Sequence, residues 1–201
     1  EGIEIECIVA FADVRGFRNW GLNNKPQKVQ ELIFGIENVL QKHFARPYFP
    51  ELFIKGVGDG FMVVLEKDRY EHAVSELKKK DSFVSLGFAA DFIMSCYDCG
   101  NELIPILKEE RLEIGFGVEI GKLNNVLVLG RWDYLGPAIN DASKYQNKAS
   151  NSMIFSMNCF SKMKIKSPEL QKEIQDKEIE KTSGKNKKKV VVKELKLKKI
   201  T

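Results

Sequence analysis

The sequence predicts an α+β fold: a mixed or mainly antiparallel sheet flanked by helices. Two observations predict it. Short β-rich runs meet at glycine-rich joints, which is how hairpins read, while longer stretches carry apolar residues at helical spacing between them. The order of these segments interleaves strands and helices yet keeps the hairpins, so the sheet is not the all-parallel kind. At 201 residues with 43% hydrophobic and 30% charged residues, the chain suits a single domain over 1–201.

The elements follow in order. Ile3, Ile5, Cys7 and Val9 alternate with other residues and run into Ala10-Phe11-Ala12, a strand with one face more buried than the other. Asp13-Val-Arg-Gly-Phe17 is then a turn that starts a helix. Pro26 opens a long helix, with Val29, Leu32, Ile33, Ile36, Val39, Leu40 and Phe44 forming its apolar stripe. Leu52-Phe-Ile54 and Phe61–Leu65 are strands joined by Gly56-Val-Gly-Asp-Gly60. Residues 69–109 are mostly helical, with breaks expected near Lys80-Asp81 and near Gly100. A second hairpin is expected from Leu112–Ile120 and Val126–Leu129, turning around Gly121–Asn125. A helix over about 137–149 and a strand at Met153–Ser156 come next. A charged helix near 168–181, a break at Ser183-Gly184 and a strand over Val190–Leu197 close the chain.

Composition excludes several classes. No stretch approaches the roughly 18 consecutive apolar residues of a membrane helix, and the expected location is cytoplasmic. The chain opens at Glu1 without Met, as a trimmed piece would, and a sensor segment could precede it. Cys96-Tyr-Asp-Cys99 has redox or zinc spacing, but no second pair accompanies it, so Cys7, Cys96, Cys99 and Cys159 read as reduced thiols. His43 and His72 stand alone on helical segments. From Ser161 onward fourteen Lys face six Asp or Glu, a local balance of +8 that leaves −4 for residues 1–160. This Lys-rich end lacks aromatics, so it is a solvated surface, part of it facing a polyphosphate, rather than a nucleic-acid platform.

Asp13 at a strand end and Asp59 at a hairpin tip are the residues least explained by packing. Two such carboxylates can hold two divalent cations, Mg or Mn, in the geometry that clamps a phosphoryl displacement. The turn after Asp13 offers backbone N–H groups to phosphate oxygens. Each feature alone is also what an ordinary turn contains.

Phe11-Ala-Asp-Val-Arg-Gly-Phe17, Lys55-Gly-Val-Gly-Asp-Gly60 and Gly136-Pro-Ala-Ile-Asn-Asp-Ala-Ser143 occur in that order. Together with Gly115-Phe-Gly-Val-Glu-Ile-Gly121, they resemble the catalytic domain of class III adenylate and guanylate cyclases over about residues 3–156. The resemblance implies a ferredoxin-like sheet and a reaction that turns a nucleoside triphosphate into a 3′,5′-cyclic monophosphate and pyrophosphate. It implies that Asp13, Asp59 and the Val14 carbonyl hold the metals, and that Gly16 and Phe17 cradle the β- and γ-phosphates. Asn140 is similar to the residue that orients the ribose, and Lys55 and Asp133 fall at the base-reading positions. Lys144 stands where the family typically has arginine, and one of Lys185, Lys187, Lys188 and Lys189 is expected to meet phosphate.

In the family the site is shared across a head-to-tail homodimer. One subunit gives the aspartates; the other gives Lys55, Asp133, Asn140 and Lys144. A Lys donor beside an Asp acceptor suits adenine or cytosine and opposes guanine and uracil. ATP is therefore the first expectation. A pyrimidine cyclase of bacterial antiphage signalling, which Asp133-Tyr-Leu-Gly-Pro137 resembles, is the second. A non-catalytic nucleotide-binding or dimerisation module and a nucleic-acid-binding α+β domain are the readings from other classes.

Overall fold

The structure, a computed structural model, describes residues 4–80, 83–163, 168–183 and 186–198. A sheet runs in the order β2-β3-β1-β4-β6-β8-β7, with β5 paired to the outer half of β4. The strands are β1 (Glu4–Arg15), β2 (Phe53–Val57), β3 (Gly60–Glu66), β4 (Glu113–Val128), β5 (Arg131–Leu135), β6 (Ser152–Phe155), β7 (Ile174–Ser183) and β8 (Asn186–Lys196). All ladders are antiparallel except β4 with β6. The helices are α1 (Phe17–Leu22), α2 (Pro26–Phe44), α3 (Lys67–Lys80), α4 (Phe88–Glu109), α5 (Pro137–Gln146), α6 (Met157–Met163) and α7 (Pro168–Glu173). The expected α+β class with an open, mostly antiparallel sheet is the one observed.

Alternation along β1 assigns the two faces. Ile8, Ala10, Ala12 and Val14 enter the large core beneath α2, α3 and α4, with Leu40, Phe44, Phe92 and Ile93. Cys7 and Val9 point the other way, toward Leu123, Tyr134, Ala138 and Ala142 under α5. Period-2 alternation therefore buries both faces of one strand in different cores.

Three expectations are corrected. The Gly100 break is absent: α4 runs through it, because a Cβ there would stand 2.8 Å from the Leu197 side chain and 3.1 Å from Phe116. Glycine serves close packing at that point, not helix termination. The segment 121–125 is not a turn either, since β4 continues to Val128 and reverses at Leu129-Gly130, whose φ angles are 50° and 77°. Two consecutive positive φ values are what a tight two-residue hairpin requires. Finally, helix near the C-terminal end stops at Glu173, and residues 174–183 pair with β8 as an edge strand. Glu, Lys and Gln give that segment helical propensity, but tertiary pairing overrides it. Its charges suit an edge that must not recruit another strand.

On the α5 face, β4 presents Gly115, Gly117 and Gly121 beneath the helix. A Cβ on Gly117 would lie 2.0 Å from the Ala142 carbonyl oxygen and 2.2 Å from the Gln146 nitrogen. One on Gly121 would lie 2.9 Å from the Ala138 Cβ. Helix and sheet approach so closely that no side chain fits between them. Glu119, the large residue of this row, is buried and accepts hydrogen bonds from Ser156 Oγ at 2.6 Å and Tyr145 Oη at 3.2 Å.

Gly117→Ala should destabilise the protein by about 3 kcal/mol, the upper end for overpacking, because the clash is with backbone. Gly56→Ala, with open space around its Cβ position, should change stability by less than ~1 kcal/mol. Denaturant midpoints of the two variants check this; equal midpoints would show that α5 does not lie against β4 as described.

Candidate active site

Local structure brings Asp13 and Asp59 together. Asp13 is opposite Gly60 across the β1–β3 ladder, and the Val14 N–H donates to the Asp59 carbonyl at 3.4 Å. The hairpin between β2 and β3 turns on Gly58, at φ 63°, and Asp59. Gly60 must follow, because a Cβ there would meet the Ala12 carbonyl oxygen at 2.0 Å. The Gly-Asp-Gly pattern thus has a steric origin on both sides of the carboxylate.

The Asp13 carboxyl titrates above the ordinary range. Burial is the largest cause, followed by the Asp59 carboxyl within hydrogen-bonding reach and its like charge. Arg15, whose Nη1 lies 3.1 Å from Asp13 Oδ2, pulls in the opposite direction. Asp59 itself is solvent-exposed. Arg15 also donates to the carbonyls of Gln146 and Ala149, tying the end of β1 to the C-terminal end of α5. A cation there is favoured by the helix dipole. Arg15 sits inside the Phe11–Phe17 motif, but its position there does not by itself reveal this role.

Gly16, at φ 82°, precedes α1, and its carbonyl accepts the Trp20 N–H at 3.0 Å. Phe17 packs its ring 5.6 Å from that of Trp20 and lines a cavity of about 250 Å³ with Gly58, Asp59 and Ile36. Asp13, Val14, Gly16, Phe17 and Asp59 therefore form one cluster at one end of the sheet. Two facing carboxylates, one held against its ionisation by the other, form a donor set suited to a divalent cation. Among the described residues no group of three or more His, Cys, Asp and Glu gathers, so main-chain oxygen such as that of Val14 would have to complete such a site.

The remaining candidate residues form two further sets. Lys55 Nζ donates to Asp133 across the β2 and β5 edges. Burial pushes the Asp133 carboxyl up, but the Lys55 hydrogen bond and charge, with the Tyr134 N–H, outweigh it and leave it below the usual value. Asn140 and Lys144 lie one turn apart on α5, Asn140 exposed, with Lys144 Nζ 3.9 Å from Asp141 Oδ1. No ion pair or hydrogen bond among the described residues joins either set to Asp13 or Asp59.

Of the four loop lysines, Lys185 lies outside the described residues. Lys187 and Lys189 pair with Glu180 at 3.7 Å and Glu178 at 3.4 Å. Lys188 shares strand parity with Val190 and Val192, which pack toward Tyr145 of α5, so it stands on the α5 side of the ribbon. Cys96 and Cys99 are both fully buried and free, as are Cys7 and Cys159. His43 Nε2 donates a hydrogen bond to the Glu102 carboxylate at 2.8 Å, a structural contact.

The raised Asp13 value fixes a sign. A carboxyl that titrates higher in the fold than in the unfolded chain adds stability while protonated, and that stability is lost as pH rises through its folded pKa. At pH 7 without metal, Asp59→Asn removes the opposing charge and should raise the melting temperature by about 2–4 °C, the effect of roughly 1 kcal/mol in a chain of this size. The gain should shrink as pH falls toward 4. Added Mn²⁺ should raise the melting temperature of the wild type by mass action and leave the variant unmoved. A melting temperature that falls in Asp59→Asn, or that Mn²⁺ raises equally in both, would contradict the assignment.

The sequence matches the family described as Adenylate and Guanylate cyclase catalytic domain over residues 4–193. No curated protein sequence matches it. Solved structures resemble the fold. The adenylyl cyclase CyaB from P. aeruginosa superposes with a TM-score of 0.69 at 17% identity, covering 96% of this chain and 95% of that one. The guanylyl cyclase Cya2 gives 0.65 at 14%, covering 96% and 92%. The catalytic core of a rhodopsin-guanylyl cyclase with converted specificity, in complex with ATPalphaS, gives 0.66 at 18%, covering 98% and 100%. With nearly the whole chain inside the family match, and strand ends that set its paired aspartates face to face, this protein belongs to the adenylate and guanylate cyclase catalytic domain family.

Proposed function

We propose that this protein is a homodimeric nucleotide cyclase that converts ATP to a 3′,5′-cyclic monophosphate and pyrophosphate in the cytoplasm. The observation that carries the proposal is the facing of Asp13 and Asp59, where burial and the neighbouring Asp59 charge raise the Asp13 carboxyl, a cost that a bound cation would relieve. Two divalent ions, Mg or Mn, held there with the Val14 carbonyl would acidify the ribose 3′-OH and neutralise the leaving pyrophosphate. Gly16 and Phe17 offer main-chain N–H groups to the β- and γ-phosphates at the start of α1. Asn140 orients the ribose, and Lys144 places positive charge against the transferred phosphoryl group.

Among the described residues neither Lys55 and Asp133 nor Asn140 and Lys144 shares an ion pair or hydrogen bond with Asp13 or Asp59, which agrees with a site composed from two subunits. Apolar exposure supports the same arrangement: Leu127, Val128, Leu129, Trp132 and Leu135 of the β4–β5 hairpin are all exposed. Such patches mark interfaces. Leu129 is 99% exposed in a left-handed conformation that leucine disfavours, a presentation that fits a contact with the second copy. Lys55 and Asp133, bonded to each other here, present a donor and an acceptor that the N1 and N6 edge of adenine would take up. Cytosine has the same polarity, which makes CTP the second substrate to examine. Four free cysteines suit a reducing compartment.

The test is product identification after incubation with each of the four triphosphates and Mn²⁺. ATP should give the cyclic product; absence of any cyclic product would remove the proposal. Asp59→Ala and Asn140→Ala chains should each be inactive alone and regain activity when mixed, because a heterodimer rebuilds one of two sites. Failure of mixing, with heterodimers shown to form, would overturn the composite site. Lys144→Ala should lower kcat on the order of 10²-fold with little change in KM, the loss expected for one transition-state donor, and Lys144→Arg should equal or exceed the wild type.

A further inference from the structure

Asp13 and the last turn of α5 are joined through the Arg15 side chain. Arg15 Nη1 lies 3.1 Å from Asp13 Oδ2, while Nη2 donates to the Gln146 carbonyl and, at 3.4 Å, to that of Ala149. The rigid fork of a guanidinium lets one group serve an anion on one edge and carbonyls on the other. The Gln146 carbonyl is among the last four of the helix, which lack intrahelical partners. Besides Arg15 it accepts the Ala149 N–H at 3.0 Å.

The Gln146 side chain meets the same carboxylate. It is 5% exposed, and its Nε2 has no partner within hydrogen-bonding distance and angle. The amide nevertheless stands near enough to the Asp13 carboxyl to favour its ionised form. A buried donor left unmade costs about 1–3 kcal/mol, so a shift of Asp13 that brings an oxygen to this amide is favoured. Asn140 and Lys144 belong to the same ten-residue helix that ends at Gln146. What happens at Asp13 is therefore felt two residues beyond Lys144.

We propose that Arg15 is a positioning residue that couples the two composite sites of the dimer, linking the state of Asp13 in one to the seating of the α5 that serves the other. The inference rests on the homodimeric cyclase reading above. In that reading Asp13 belongs to one site, whereas Asn140 and Lys144 of the same chain belong to the second. Once Asp13 ligates cations its charge is shared, and Arg15 is left to the α5 carbonyls, which tightens the end of that helix. Such coupling is reciprocal, so occupation of the second site alters cation affinity at the first.

Hydrogen exchange reads this coupling without turnover. Mn²⁺ alone should slow amide exchange over residues 143–149 of the wild type by about threefold or more. Arg15→Met should still bind Mn²⁺, seen as a raised melting temperature, but lose the change over 143–149. Arg15→Gln serves if the methionine variant does not fold. A merely structural Arg15 would leave the Mn²⁺ response the same in both proteins. The second arm uses the mixed dimer of Asp59→Ala and Asn140→Ala chains, which keeps one working site. Arg15→Met in the Asp59→Ala chain, whose α5 serves that site while its own aspartates do not, should lower kcat on the order of 10-fold. In the Asn140→Ala chain, which supplies the aspartates, it should lower the Mn²⁺ concentration for half-activation about threefold, because a competing cation is gone. Equal exchange responses in wild type and Arg15→Met, or a kcat unmoved by Arg15→Met in the Asp59→Ala chain, would overturn the coupling and leave the cyclase reading standing. Mixed dimers that form but do not turn over would overturn the composite site and this coupling with it. A wild type that makes no cyclic nucleotide would overturn both readings.

Discussion

The close approach of α5 to β4 is the constraint on which the rest of this molecule depends. It exists because Gly115, Gly117 and Gly121 leave one row of β4 without side chains where the helix crosses. The helix is then located twice more. Glu119 takes the Tyr145 hydroxyl from below, and Arg15 takes the carbonyls at the helix end. Asn140, Asp141 and Lys144 inherit their positions from this seating. A shift of α5 outward by one methyl group would move all three, and with them the Arg15 link to Asp13.

Arg15 makes the placement of Asp13 and of α5 interdependent. The same guanidinium neutralises part of the Asp13 charge and closes the C-terminal end of α5. It lowers the cost of setting two carboxylates face to face without removing it, since Asp13 still titrates high. The cations proposed above would relieve that cost.

The Lys-rich end takes on a different meaning in three dimensions. It is not a solvated appendage: β8 joins the sheet beside β6, and β7 covers its outer edge. Strand parity divides its lysines. Lys187 and Lys189 pair with glutamates of β7 on one side, and Lys181 and Lys188 stand on the side of α5. A surplus of +8 counted along the sequence therefore becomes, at the site, a few cations whose neighbours decide which of them are available.

The sequence by itself determined the fold class, the strand and helix order as far as β3, and the residues of the three motifs. Those features are local: apolar periodicity, a Gly-Asp-Gly turn, a proline at a helix start. It did not determine where glycine means a turn and where it means contact. Gly58 turns the chain, whereas Gly100, Gly117 and Gly121 sit inside regular elements because Leu197, Ala142 and Ala138 come close. It placed 174–181 in a helix because its charged residues favour one locally. It also left Asp141 without a partner. Only the tertiary structure decided these points. The pairing of β7 with β8 supplies a strand's hydrogen bonds to residues of helical propensity, and carries Lys181 to a carboxylate forty positions earlier.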